Sequence, residues 1–266
     1  MLSNLHTHSI FCDGVNTPEE IVLAAIEKGF CSVGFSGHGY TDFDLRYCMK
    51  DTGAYRAEIN RLKVKYKQDI QIYLGAEEDA FCPVKRTDFD YVIGSSHYYC
   101  VGGQYYPIDS SYEYFQKCMA LFNNDPVAMA HAYYQPFCKY IQQRKPDIVG
   151  HFDLITKFDE LDTSLFLEND AYHHTAEEYM QYAANSGCLF EVNTGAISRN
   201  FRSGPYPYEN LLQVLRRNGN GVVLSSDSHA IDTLSFGFED MKKYLKDMGF
   251  TCTYILYNGE FVKDYL

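Results

Sequence analysis

Two pairs of side chains frame the chemistry open to this sequence: His6 with His8, and Asp227 with His229. Each pair is spaced i, i+2. In an extended strand that spacing sends both side chains to the same side, where they can share one cation. Four further metal-competent residues, His38, Glu77, His97 and His151, each follow a short apolar run. Taken alone, any one of these histidines reads most simply as a hydrogen-bonded core or loop residue. Six of the nine histidines falling just past successive apolar runs have no such simple reason, and together they predict a metal centre. Imidazole and carboxylate donors without cysteine favour zinc, manganese or iron over calcium, magnesium or a thiolate site.

These side chains meet only if the apolar runs are strands of one sheet. Residues 2–6, 31–36, 70–76, 91–96, 148–152, 188–192 and 221–226 read as strands. Amphipathic segments lie between them. Thr17-Pro18-Glu19-Glu20 supplies an N-cap, a proline at the first helical position and a capping-box glutamate, and Gly29 ends that helix. Further helices are predicted over 51–67, from a second capping box at Ser110–Glu113 to about 123, and over 126–143, 170–186, 207–218 and 237–248. Thr251 to Leu266 alternates around Asn258-Gly259, a type I′ hairpin signal. Strands alternating with helices predict a parallel sheet with both faces covered. No G-x-G-x-x-G loop follows the first strand, which argues against a dinucleotide fold. The prediction is a single α/β domain over residues 1–266: a TIM-like barrel of seven or eight strands with a C-terminal hairpin. Chemistry in such barrels collects at the C-terminal strand ends, where all these residues fall. Only the strand at 188–192 lacks a metal-competent successor.

Composition narrows the partners. With 23 Lys and Arg against 35 Asp and Glu, the net charge is −12, which makes a long polyanion such as nucleic acid a poor ligand. No apolar stretch approaches the roughly 20 residues that span a bilayer, and the first residues lack a secretory pattern. Nine scattered cysteines form no CxxC pair and fit reduced thiols in a cytoplasm. These features carry no information on oligomeric state.

The segments His6-Thr7-His8-Ser9, Gly37-His38, Gly75-Ala76-Glu77, Gly94-Ser95-Ser96-His97, Gly150-His151-Phe152-Asp153 and Ser226-Asp227-Ser228-His229 resemble the ordered motifs of the polymerase and histidinol phosphatase (PHP) superfamily. Ile10-Phe11-Cys12-Asp13-Gly14 and the GHFD segment are most similar to its histidinol-phosphatase branch. The resemblance spans residues 6 to about 230. It implies a distorted (β/α)7 barrel with two or three divalent ions. One ion would take His6, His8, Glu77 and Asp227; a second would share Glu77 and add His97 and His151. A third would take Asp13, His38 and His229, with Asp13 alternatively a turn residue before Gly14.

Paired cations suit a dianionic phosphate monoester, because they can lower the pKa of a water, hold phosphoryl oxygens and stabilise the leaving alkoxide. The resemblance thus implies hydrolysis of a small phosphate ester, foremost L-histidinol phosphate in histidine biosynthesis, through in-line attack by a metal-activated hydroxide. No aspartyl-phosphate or cysteine-phosphatase motif offers a covalent route. Asp227 or His229 is the candidate proton donor where a metal position is vacant, and Glu77 the bridging carboxylate. The family's phosphate-binding arginine corresponds to Arg199 or Arg202, in the loop after Glu191-Val192-Asn193-Thr194. Asp79 points toward the site by strand alternation and is a candidate acceptor for a ligating histidine; Glu78 points away. Tyr40, Tyr98 and Tyr99 are pocket or rim candidates. His131 reads as a helix histidine, and His173 and His174 as exposed. Two other readings stand beside the leading one: a phosphoesterase for nucleotides or short oligonucleotides, and a non-catalytic module held by metal.

Overall fold

The computed structural model describes residues 1–162 and 165–266, and it places seven parallel strands in one barrel-shaped sheet. In chain order the elements begin with β1 (Ser3–Asn4), α1 (Pro18–Glu27), β2 (Ser32–Phe35), α2 (Thr52–Lys65), β3 (Gln71–Asp79) and β4 (Tyr91–Ser95). A small antiparallel ribbon, β5 (Tyr98–Val101) and β6 (Gln104–Pro107), precedes α3 (Tyr112–Leu121) and α4 (Pro126–Arg144). The barrel resumes with β7 (Ile148–Val149), α5 (Asp170–Ala184), β8 (Leu189–Asn193), the short α6 (Gly195–Ser198), α7 (Glu209–Asn218) and β9 (Val222–Ser225). After α8 (Phe238–Asp247), β10 (Cys252–Tyr257) and β11 (Glu260–Tyr265) form the closing hairpin.

The sheet order is β1-β2-β3-β4-β7-β8-β9. β3 pairs with β2 through residues 71–74 and with β4 through residues 75–79. That stagger is what tilts strands and curls a sheet toward closure. The architecture is thus a distorted TIM-like (β/α)7 barrel. α3, α4, α5 and α7 cover one side around Tyr134, Phe137, Phe152 and Phe190, and α1 and α2 cover the other around Val33, Phe35 and Ile59. The interior holds Leu5, Tyr73, Tyr91, Ile93, Ile148 and Val223. Tyr91 fills the space left by Gly34 and Gly75, where an added Cβ would collide with its ring. Its hydroxyl donates to the Leu5 carbonyl. Leu256, Tyr254 and Phe261 of the β10–β11 hairpin pack onto this interior group from the end opposite the histidines.

Local signals explain the element starts. Thr17 Oγ1 accepts from Glu20 N–H at 3.3 Å while Glu20 accepts from Thr17 N–H at 2.8 Å, completing the predicted capping box. The second box is displaced: Ser111, not Ser110, caps α3 by accepting from Tyr114 N–H at 3.1 Å. The first strand is shorter than 2–6 because the Asn4 side chain takes over from the ladder, accepting from His6 N–H at 3.0 Å and donating to Ser226 Oγ at 2.8 Å. The β5–β6 ribbon is absent from the sequence reading, although Gly102 and Gly103, both at positive φ, form its turn.

Among the described residues no helix is long and apolar enough to cross a membrane. All nine cysteines are free thiols.

Candidate metal centre and active site

The barrel closes through backbone bonds that also assemble chemistry. His8 N–H donates to Ser228 carbonyl at 2.8 Å, and Ser228 N–H donates to His6 carbonyl at 3.0 Å. The two i, i+2 pairs thereby stand side by side across the seam. Asp227 takes a left-handed φ of 47°, a backbone state uncommon outside glycine, just past β9. On the next strands, Gly39 N–H donates to Glu77 carbonyl at 2.7 Å and Glu77 N–H to Gly37 carbonyl at 3.1 Å, which sets His38 beside Glu77. His97 follows β4 and His151 follows β7.

Glu77 is the hub. Its Oε1 lies 2.9 Å from His151 Nε2 and 3.2 Å from His97 Nε2. Its Oε2 lies 2.9 Å from His38 Nδ1, 3.2 Å from His6 Nε2 and 3.5 Å from His8 Nε2. Asp227 Oδ1 is 3.1 Å from His8 Nε2 and 3.6 Å from His6 Nε2. Asp13 Oδ2 is 3.3 Å from His229 Nε2 and 3.6 Å from His38 Nε2. The donors fall into overlapping groups: His6, His8 and Asp227; His6, Glu77 and His151; His38, Glu77 and His97; and His8, Asp13, His38 and His229. Every residue named for metal binding thus lies in the one cluster, Asp13 included, and His8 adds itself to the third set.

The cluster fits divalent cations. Two donors about 2.1 Å from one ion lie about 3.0–3.4 Å apart, close to the separations seen here. His6 Nε2, His8 Nε2, Asp13 Oδ1 and Glu77 Oε2 are buried with no hydrogen-bond partner. Buried polar atoms left unpaired cost about 1–3 kcal/mol each. A cation at these points satisfies them together.

The electrostatics agree. Burial opposes the charge on Glu77, but His6, His38 and His97 outweigh it and hold the carboxyl well below its usual range. Burial opposes protonation of His97 too, yet Glu77 and Asp79 raise it to about 10. His6 and His38 are likewise pushed up against burial, by Glu191 and Glu77 for the first and by Glu77 and Asp13 for the second. Protons therefore occupy these imidazoles when no cation does, and metal binding displaces them. His8 is the exception: burial, His229 and His38 lower it to about 3, so it stays neutral.

Outer partners fix the rings. Glu191 Oε1 lies 2.5 Å from His6 Nδ1, and its Oε2 accepts from His151 N–H at 2.7 Å and from Asn193 Nδ2 at 3.0 Å. Asp79 Oδ2 lies 3.2 Å from His97 Nδ1 and accepts from His97 N–H at 3.0 Å, while Glu78 turns outward to Arg144 at 2.9 Å. The sequence reading places Glu191 before the arginine loop but gives it no role at the metal centre. Its signal was a carboxylate within the apolar run 188–192.

Seven residues of the cluster, all but the buried His6 and His8, line a cavity of about 330 Å³. Arg199 lines it, donating to Asp227 Oδ2 at 3.0 Å and to the Asp227 carbonyl at 3.1 Å. Arg202 is not among the lining residues. It is buried under Tyr206 and Tyr208, donates to Thr156 Oγ1 at 2.8 Å and faces Asp153 at 3.8 Å. Lys157 is a second cavity cation, also missed, with its Nζ 4.7 Å from the Phe201 ring centre. Tyr98 lines the cavity, whereas Tyr99 is buried against Phe122 and Tyr133 and Tyr40 is outside the lining. His131 sits on the surface of α4 beside Tyr179. His174 is exposed, but His173 is half-buried, with Nε2 at 2.9 Å from the Leu167 carbonyl.

A family model for the PHP domain matches residues 4–195. A Schizosaccharomyces pombe protein described as "Probable histidinol-phosphatase" is 28% identical, with 96% of this chain and 89% of the relative covered. A Deinococcus radiodurans protein of the same description is 27% identical over 93% of this chain and 94% of its own. In fold, the chain is similar to a Lactococcus lactis histidinol phosphate phosphatase solved with zinc, L-histidinol and phosphate, at a TM-score of 0.73 and 21% identity over 98% of both chains. The barrel, the ordered ligand motifs and a match across well over half the chain lead to one assignment: this chain belongs to the PHP domain family.

Proposed function

We propose that the protein is a metal-dependent phosphatase that hydrolyses L-histidinol phosphate to L-histidinol and phosphate in the cytoplasm. The observation that carries this reading is the convergence of six histidines, Asp13, Glu77 and Asp227 in one cluster, all of which except the buried His6 and His8 line a cavity with Arg199. The names of relatives that match nearly the whole chain support the choice of ester.

Divalent zinc, manganese or iron, held by His6, His8, Asp13, His38, Glu77, His97, His151, Asp227 and His229, would supply Lewis acidity and an activated water. The chain's own groups do the rest. Arg199 offers its guanidinium to the phosphoryl group, already oriented by Asp227. Lys157 adds a second positive charge to the cavity lining. Asp227 keeps one oxygen on Arg199 and the other toward His6 and His8, so it can accept the proton of the attacking water. His229 lies at the cavity with Nδ1 2.9 Å from the Asp227 carbonyl, and where no cation holds its ring it is the candidate to return a proton to the leaving alkoxide. Glu77 holds the imidazoles of four strands around one point.

The test is kcat/KM for phosphate release from L-histidinol phosphate by zinc- or manganese-loaded protein. A value at or above roughly 10⁴ M⁻¹s⁻¹ is expected of a physiological substrate. A value orders of magnitude lower, with metal bound, rejects this ester and turns the search to nucleotides.

A further inference from the structure

A ring that holds a cation on one nitrogen needs its other nitrogen held in turn. His6 Nδ1 has Glu191 in that role, and His97 Nδ1 has Asp79. His8, equally buried, has neither. Its Nδ1 lies 3.4 Å from Cys12 Sγ, a hydrogen bond to sulfur, and 3.5 Å from Asp13 Oδ1, which is not a hydrogen-bond partner. The turn that carries Cys12 is built around this contact. Cys12 N–H and Gly14 N–H both donate to the Ser9 carbonyl, at 2.9 and 3.1 Å, and Val15 N–H donates to the His229 carbonyl at 2.9 Å. A Cβ at Gly14 would stand 2.5 Å from the His8 carbonyl carbon, so the chain folds directly onto His8. A Cβ at Gly37 would stand 3.2 Å from the sulfur and 3.1 Å from Met49 Sδ, so that glycine leaves the space in which Sγ is seated.

His8 Nε2 is buried without a hydrogen-bond partner among the described residues and faces Asp227 Oδ1 at 3.1 Å. A lone pair kept at Nε2 puts the proton of the neutral ring on Nδ1. Nδ1–H then donates to Sγ, and the thiol donates onward to the Ser9 carbonyl at 3.5 Å. The sulfur belongs to none of the candidate donor groups. We infer that Cys12 is a positioning residue for the metal centre: its thiol holds His8 in the Nδ1–H form, with the Nε2 lone pair directed at the cation. The inference rests on the reading that the cluster holds divalent ions.

The experiment measures zinc affinity by chelator competition in the wild type, Cys12→Ser and Cys12→Ala. Both variants lose the sulfur's packing against Gly37 and Met49, and they differ from each other by one hydroxyl, so their difference reports the hydrogen bond. Cys12→Ala is expected to weaken zinc binding about 10-fold, and Cys12→Ser to stay within about threefold of the wild type. Equal losses in both variants would leave the sulfur a packing group and overturn the inference; so would no loss in Cys12→Ala. A second measurement needs no variant: nitrogen-15 spectra of the zinc-loaded wild type with labelled histidine. They are expected to show His8 protonated at Nδ1 and zinc-bound at Nε2, and the reverse arrangement overturns the inference. A wild type that binds no zinc takes down the metal-centre reading and the inference with it. Zinc bound tightly and equally by all three proteins overturns the inference alone.

Discussion

Glu191 Oε1 lies 2.5 Å from His6 Nδ1 while its other oxygen accepts the backbone N–H of His151, so one carboxylate on β8 positions ligands from two other strands. The bond at Nδ1 leaves Nε2 of His6 directed at Glu77 and Asp227. Glu191→Gln is therefore expected to weaken metal binding about 10- to 100-fold. Competition against a chelator of known affinity measures this, and activity should return as metal is added in excess. Unchanged affinity would make Glu191 a packing residue only.

Glu77→Gln removes the shared carboxylate. We expect metal content by elemental analysis and kcat to collapse together, because its two oxygens face five imidazoles at 2.9–3.5 Å. Retention of full metal with activity lost would restrict Glu77 to chemistry; retention of both would remove it from the centre.

Arg199 and Arg202 should part company. Arg199→Ala is expected to raise KM for the phosphate ester about 10- to 100-fold with metal retained, since it takes a cation from the cavity. Arg202→Ala leaves Asp153 buried without its cation and is expected to cost about 3–5 kcal/mol in denaturant unfolding. A large KM effect from Arg202 at unchanged stability would reverse the assignment.

Metal binding should release protons. His97 sits at about 10 in the metal-free protein, so it is protonated at pH 7 and must lose that proton to coordinate. Calorimetry in buffers of different ionisation enthalpy should count at least one proton, and affinity should climb about tenfold per pH unit per proton released. The metal-free fold shows the converse. A raised histidine contributes stability that is fully present below its unfolded value of 6.5 and is lost as pH rises through about 10. Zero proton release at pH 7 would mean that His97 is already neutral before the metal arrives.

Much of this site is legible in the sequence, for a physical reason. Strand alternation, with its period of two, predicted that His6 with His8 and Asp227 with His229 share a side, and barrel topology gathers strand ends; the pairs do converge, although they lie past β1 and β9 and Asp227 is left-handed. Asp79 as partner of His97 followed from the same rule. The choice between Arg199 and Arg202 did not, because both follow the single turn of α6 at its end, where no periodicity encodes the direction of the chain. The β5–β6 ribbon was hidden for another reason. Its tyrosines at 98, 99, 105 and 106 suit a pocket wall as well as a strand, and Gly102-Gly103 alone marked the turn.

The hairpin that corks the barrel has a consequence for how the protein is made. Leu256, Tyr254 and Phe261 leave the ribosome after all seven strands of the sheet, yet they complete a core begun by Leu5. Until they arrive, Leu5, Tyr73 and Tyr91 lack their cover at the end of the barrel opposite the histidines. A nascent chain holding all nine proposed ligands is therefore expected to stay protease-sensitive until residues 252–265 emerge, making synthesis of the hairpin the event that commits the barrel.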